Sequence, residues 1–393
     1  VEGRYDVAVV GGGFTGLSAA RQLALGGARG VLLEAETVGF GASGRNGGHL
    51  NNGVAHSYVS AKAHLGPERA AALYRAFDTS VDRIEKIVEE EGIDCAFRRA
   101  GKLKLASKPK HFDAIAANFE VIHREIDPDT ALLSRADLAG EIGTDIFHGA
   151  MLSKKSGMVH MGRYAVGLAA AAARRGATIF EHAPVTARRT VDGMVELTTP
   201  RGKVLARDVF LATGAYTSGP FAWFRGRLVN VGPFLIAPRP LTAEEAARFM
   251  PGNRTCVSSM NVGNYFRLAP DNRLLFGGRA RFSAVSDQRS DARSGAILRE
   301  ALGRVFPALA DVEIDYCWGG LVDMTKDRFP RAGRADGVWY AMGYSGNGAQ
   351  MSTELGIRIM DEEMVDQTIN ATRATPRSGT LAKDVVDSAT SYA

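Results

Sequence analysis

The chain has 393 residues, 45% of them hydrophobic, and a formal net charge of +5 spread without blocks of like charge. That length supports one large domain or two interleaved ones around a sizeable core, and the mixed charge argues against a nucleic-acid footprint. Cys95, Cys256 and Cys317 form no CxxC and no run of about 18 apolar residues occurs, which excludes a disulfide framework, a zinc site and a transmembrane helix, and fits a reducing cytoplasm.

The apolar run Asp6–Val10 predicts a buried parallel strand. Gly11-Gly-Gly-Phe-Thr-Gly16 follows it, then helical spacing from Leu17 to Leu25 ended by Gly26-Gly27, then a second strand over Val31–Glu34. This is one strand–helix–strand unit of about 30 residues. Pro67 to Gly92 reads as an amphipathic helix, Leu103 to Ser107 as a strand and Pro109 to Ile126 as another helix. A short helix is expected to begin at Ser134, with that serine as its N-cap. Met161 to Arg175 is alanine-rich and helical; Thr178–Phe180 and the stretch from Val185 return to the first sheet. Residues 195–206 read as a hairpin, and Asp208 to Gly214 as an apolar strand ending on a turn. Residues 264–278 alternate in strand fashion around Pro270-Asp-Asn272. Ala292–Val305 reads as a helix, Val338–Gly343 as a last buried strand, and Gln350–Glu363 as the closing helix. The polar tail from about Asp366 shows no core face.

Gly11, Gly13 and Gly16 make a dinucleotide fingerprint, strong here because a strand precedes it and a helix follows. Gly11 allows the turn and Gly13 a close approach of backbone to pyrophosphate, with Phe14 and Thr15 as further cofactor-binding candidates between the glycines. Gly16 allows helix–strand packing. The helix N-terminus offers N–H groups and partial positive charge to that pyrophosphate. Glu34, followed by Ala35, would accept from ribose hydroxyls and disfavours a 2′-phosphate, so FAD or NAD is expected rather than NADP.

The string Gly39-Phe-Gly-Ala-Ser-Gly-Arg-Asn-Gly-Gly48 leaves little side-chain bulk, so a flat ligand could lie against its backbone. On this string the chain resembles the D-amino-acid oxidase superfamily of FAD enzymes, most of all the branch holding gamma-glutamylputrescine oxidoreductase. The resemblance spans roughly residues 5 to 360. It implies FAD contacts at Ala42, Ser43, Arg45, Asn46 and Gly47. It also implies an adenine contact at Val185, a second strand-turn at Thr213 and Gly214, and a final flavin motif at Gly343, Tyr344, Gly346, Asn347, Gly348, Ala349 and Gln350. A helix N-terminus at that last motif would face the flavin edge that gains charge on reduction.

Departures from the family narrow the reading. Val322 stands where amino-acid-oxidising branches carry a carboxylate-binding Arg. Cys317 is about three residues early for the covalent flavin link of monomeric sarcosine oxidases, so FAD is expected to be non-covalent. Arg267 falls where the sarcosine branch has a Lys near the reacting flavin nitrogen, and could stabilise superoxide or be a sheet-surface arginine. His49 and Trp318 are the other candidate catalytic residues, and His160 a core or loop histidine.

The expected fold is α/β: a Rossmann-type FAD-binding domain (1–77, 150–218, 328–370) interleaved with a mixed-sheet α+β substrate domain (78–149, 219–327), then the polar tail. The expected activity is FAD-dependent oxidation of a C–N bond in a small amine resembling gamma-glutamylputrescine, with oxygen or another electron acceptor. The alternatives are an oxidase of sarcosine or dimethylglycine, with Arg45 or Arg331 holding the carboxylate, and an electron-transfer flavin subunit needing a partner chain. NAD-dependent dehydrogenation ranks below these. A homo-oligomer is compatible with all of them.

Overall fold

A computed structural model describes residues 1–260, 263–278 and 292–364. The fold is α/β, built on two eight-stranded sheets whose segments interleave along the chain. In the first sheet, Val338–Met342, Gly202–Leu211, Gly3–Val10, Gly30–Leu33 and Thr178–Phe180 run parallel in that spatial order. Arg331–Ala335 adds antiparallel at one edge, and the hairpin Ala187–Val191/Met194–Thr199 joins Gly202–Leu211. Val7 to Val10 are buried on both faces, which is why they form an unbroken apolar run rather than an alternation. The helices Phe14–Leu25, Met161–Arg174 and Gly348–Arg358 pack together over this sheet.

The second sheet runs in the order Ile314–Gly319, Phe234–Pro238, Leu274–Gly278, Tyr265–Leu268, Thr255–Ser258, Lys102–Leu105, Gly149–Ser153 and Ala131–Ser134. All its pairs are antiparallel except Thr255–Ser258 with Lys102–Leu105. Phe234, Ile236, Phe266, Phe276 and Phe306 fill the core between one face and the helix Ala292–Val305. Near the other face lie Pro67–Glu91 and Pro109–Glu125. The first of these has Pro67 at its start, buries Leu73, Phe77, Val81, Ile84 and Ile87, and stops on left-handed Gly92.

Several expectations shift. The first helix starts at Phe14, not Leu17, because the Ser43 hydroxyl accepts from the Phe14 N–H across 2.9 Å, a cap donated by a distant loop. Ser134 ends a strand, yet its hydroxyl accepts from the Asp137 N–H at 3.3 Å, so it caps the short helical turn that follows as expected. Its N–H donates in return to the Asp137 carboxylate, and the turn is a 3-10 helix, Asp137–Gly140. The closing helix begins at Gly348 and passes into a π-helical turn over Ile359–Met364. Residue 77 lies inside the Pro67–Glu91 helix and residue 150 inside the Gly149–Ser153 strand of the second sheet, so neither is a break between units. The tail from Asp366 falls outside the described residues. Among those described, no helix is long and apolar enough to cross a membrane.

Candidate active site

One cavity of about 1150 Å³ runs between the two sheets, above the usual range of about 300–1,000 Å³ for small-molecule sites. Its first end is the glycine turn after Gly3–Val10. Gly11 has φ +109°, and a Cβ on Gly16 would sit 1.9 Å from the Gly11 carbonyl oxygen, so both positions need glycine. The Glu34 carboxylate lines the cavity and accepts from the N–H groups of Gly12 and Glu36, which ties the turn to the second strand.

The loop between Gly39 and Gly48 forms the next wall, with a short helical turn over Ala42–Arg45. Asn46 holds its shape: its amide donates to the carbonyls of Ala42 and Ser43, and its oxygen accepts from the Gly48 N–H at 2.8 Å. Behind this loop Arg267 is 2% exposed. Its guanidinium donates to the carbonyls of Gly47, Val159 (2.8 Å) and Leu268 (3.0 Å). Burial, with Arg98 nearby, pushes its pKa down to about 10. Trp318 is a second support, donating through Nε1 to the Arg45 carbonyl at 2.9 Å.

These positions correct the candidate catalytic set. Arg267 and Trp318 do not line the cavity, because both are spent on the backbone of the loop that does. His49 does line it. Burial first, and Arg267 second, push its pKa down to about 3. Its Nδ1 lies 3.2 Å from the Gly47 carbonyl, which assigns the proton to Nδ1; Nε2 is buried without a partner. His160 caps the Met161–Arg174 helix, accepting from the Arg163 N–H at 3.3 Å.

The expected cofactor contacts line the cavity with three exceptions: Gly16, Gly343 and Gln350 lie behind the surface their neighbours form. Gln350 donates instead to the Asn51 carbonyl. Tyr344 is fixed by its hydroxyl, 2.8 Å from the Thr15 hydroxyl, so the first and last motifs touch. Asp323 was not singled out by sequence reasoning, yet it organises this end. Its carboxylate accepts from the N–H groups of Gly343 and Tyr344, and its carbonyl from that of Ser345. Burial raises its pKa to about 6 against the opposing pull of those N–H groups. No composition or spacing rule distinguishes such an aspartate from a surface one.

Beyond the loop the wall is the free face of the second sheet. Trp318, Leu235, Gly277, Tyr265, Val257, Lys104 and Met151 stand in one cross-strand row on that face. Cys317 points the opposite way, packed toward the Ala292–Val305 core, where a Cβ on Gly295 would lie 3.4 Å from its Sγ. Val322 faces the cavity, whereas Arg331, paired with Asp327, does not. Among the described residues no His, Cys, Asp and Glu cluster suits a metal ion.

This lining fits a dinucleotide with a flat ring system. A side-chain-free turn and two helix N-termini suit phosphates, a carboxylate suits ribose, and a Cβ on Gly13 would come 2.9 Å from the Ser43 hydroxyl. Residues 6–361 match the DAO family, described as FAD dependent oxidoreductase. The chain is 34% identical over 366 residues to a probable oxidoreductase OrdL of Haemophilus influenzae, covering 92% of this chain and 83% of that one. It is 33% identical over 361 residues to the gamma-glutamylputrescine oxidoreductase of Escherichia coli, covering 91% and 83%. Among solved structures, glycine oxidase from Geobacillus kaustophilus superposes with a TM-score of 0.77 at 25% identity, covering 95% of this chain and 96% of that one.

Proposed function

The chain belongs to the DAO family of FAD-dependent oxidoreductases, enzymes acting on C–N bonds of amines or amino acids, and on that premise we propose that it oxidises a small amine of the gamma-glutamylputrescine kind. The observation that carries this reading is the single cavity joining the dinucleotide cradle to a polar chamber, with Val322 rather than a cation on the Val322–Met324 strand facing it. Cys317, turned to the opposite face of its sheet, supports non-covalent binding of FAD.

FAD, when bound, supplies the hydride acceptor, so the reaction requires no strong protein base. The protein's own residues orient and shield. The turn at Gly11–Phe14 and the start of the Gly348–Arg358 helix would hold phosphates and the electron-rich edge of the ring. Arg267, Trp318 and Asn46 hold the Ala42–Gly47 loop, which would present a rigid wall to the cofactor. His49, kept neutral, adds no charge to the chamber it lines, while Leu235, Tyr265 and Val322 would exclude water around the C–H being broken. The imine then hydrolyses to an aldehyde and an amine or ammonia, with oxygen or another acceptor taking the electrons. The cofactor unit in this reading draws on residues 1–77, 150–218 and 328–370, amended by the two boundaries above, and the substrate unit on the remainder before the tail.

The test is an anaerobic visible spectrum of the FAD-loaded protein before and after gamma-glutamylputrescine, sarcosine and a D-amino acid in turn. Bleaching by the first alone is expected. Bleaching by sarcosine alone would transfer the reading to N-methyl amino acids, for which Arg45 lines the cavity as a carboxylate partner. Peaks that survive every amine would point to a partner-dependent flavin subunit.

A further inference from the structure

Past Tyr265 the cavity enters an arm between the second sheet and the helices Pro67–Glu91 and Pro109–Glu125. Lys102 and Lys104 alternate with Leu103 and Leu105 on one strand. The leucines enter the sheet's core, so both lysines face the arm. Lys102 Nζ donates to the Asn52 carbonyl at 2.6 Å and Lys104 Nζ to the Ser258 carbonyl at 3.2 Å. Each ammonium has three N–H groups, so two on each remain for a ligand. Neither lysine forms an ion pair among the described residues. Burial lowers both pKa values, that of Lys102 to about 8 with the charge of Lys104 adding to the effect. Two half-buried ammonium groups on one face, neither in an ion pair, favour an anion between them.

The arm also holds an acceptor. Asp78, on the Pro67–Glu91 helix, is 7% exposed. Its Oδ2 accepts from Lys155 at 3.0 Å, and its Oδ1 is buried with the Asn52 side chain nearby but no partner within hydrogen-bond geometry. Two cations and one unsatisfied carboxylate oxygen in one chamber complement a zwitterion better than a simple anion. Asp127, the other carboxylate there, is already engaged by the Thr130 hydroxyl and the Asp129 N–H.

We propose that this arm receives an α-amino-acid head group at the far end of the amine substrate, its carboxylate on Lys102 and Lys104 and its ammonium on Asp78 Oδ1. The proposal rests on the amine-oxidation reading and narrows it. The amino-acid group is an anchor, and the bond oxidised lies at the other end of the molecule, beside the Ala42–Gly47 loop.

Three amides of putrescine separate the contributions: γ-glutamyl, glutaryl (no ammonium) and pentanoyl (neither charge). Each charged contact should contribute about 10- to 100-fold to the specificity constant, read by anaerobic bleaching of the FAD-loaded enzyme. Lys102→Met and Lys104→Met should bring the glutaryl-to-pentanoyl ratio toward one, and Lys104→Arg should retain part of it. Asp78→Asn should do the same to the glutamyl-to-glutaryl ratio. Flavin content and melting temperature identify any variant that misfolds, and the remaining variants then decide. Ratios near one in the wild type, or unchanged in the variants, would overturn the proposal. If no amide bleaches the flavin, the amine-oxidation reading fails separately, and calorimetric binding of the same three amides decides the arm by the same ratios.

Discussion

Arg267→Met separates a support from a catalyst. A cation chosen to stabilise reduced oxygen should be needed for turnover and dispensable for folding. In the structure its guanidinium instead satisfies three buried carbonyls, of Gly47, Val159 and Leu268. Methionine keeps much of the volume and removes every donor. Each carbonyl left without a partner costs about 1–3 kcal/mol. Releasing the arginine from its own burial, seen in its lowered pKa, offsets part of that. A net loss of about 3 kcal/mol follows, or about 6 °C in melting temperature at about 2 °C per kcal/mol for a large domain. Because Gly47 belongs to the cavity wall, FAD affinity should fall by about tenfold or more. Urea melts, FAD titration by fluorescence quenching and single-turnover reoxidation in air together decide the matter. A variant with wild-type stability and FAD affinity but slowed reoxidation would refute the reasoning and restore the catalytic role.

Asp323 has a folded pKa of about 6, above its unfolded value of about 3.9, so the folded state binds the extra proton between those values. Stability of the FAD-free protein should therefore fall as pH rises from about 4 to 6, by up to about 3 kcal/mol. Asp323→Asn should flatten that window in urea melts taken across it; an unchanged profile would count against the assignment. His49 carries the opposite sign. With its pKa held near 3, stability is lost as pH falls from about 6.5, and the residue stays neutral throughout the working range. The pH profile of the specificity constant should show no inflection near 6.5 that His49→Asn removes. Cys317 faces away from the cavity, so acid precipitation of the loaded enzyme should release all its flavin, from wild type and Cys317→Ser alike. Flavin kept in the wild-type pellet alone would contradict non-covalent binding.

The parts of this molecule written in backbone were legible in its sequence. A turn that approaches a phosphate excludes side chains, so Gly11, Gly13 and the loop from Gly39 to Gly48 announce it by composition. Side-chain roles set by tertiary depth were not legible. Tyr265 and Arg267 lie on one strand with the same parity, so both leave the same face of the sheet. Only the fold shows that Tyr265 reaches the cavity while Arg267, two residues on, ends beneath the Gly47–Gly48 backbone. A Cβ on Gly48 would sit 2.2 Å from the Val159 carbonyl oxygen and 2.3 Å from the Arg267 Nη2, so only glycine lets the loop lie this close to both. Neither the motif nor the strand alone contains that relation.

The same limit applies to charge. Lysines alternating with leucines over residues 102–105 read as an ordinary strand with one wet face. What reverses that reading is the cover, the helices Pro67–Glu91 and Pro109–Glu125, whose apolar stripes are plain in the sequence although their destination is not. Once they close over that face, Lys102 and Lys104 are half-buried cations with no ion-pair partner among the described residues, which favours an anion from outside. On the proposal above, specificity in this chain would reside where its sequence looks least distinctive. The cofactor is recognised by a shared glycine pattern, whereas the substrate would be selected by two lysines and an aspartate whose role depends on what packs above them.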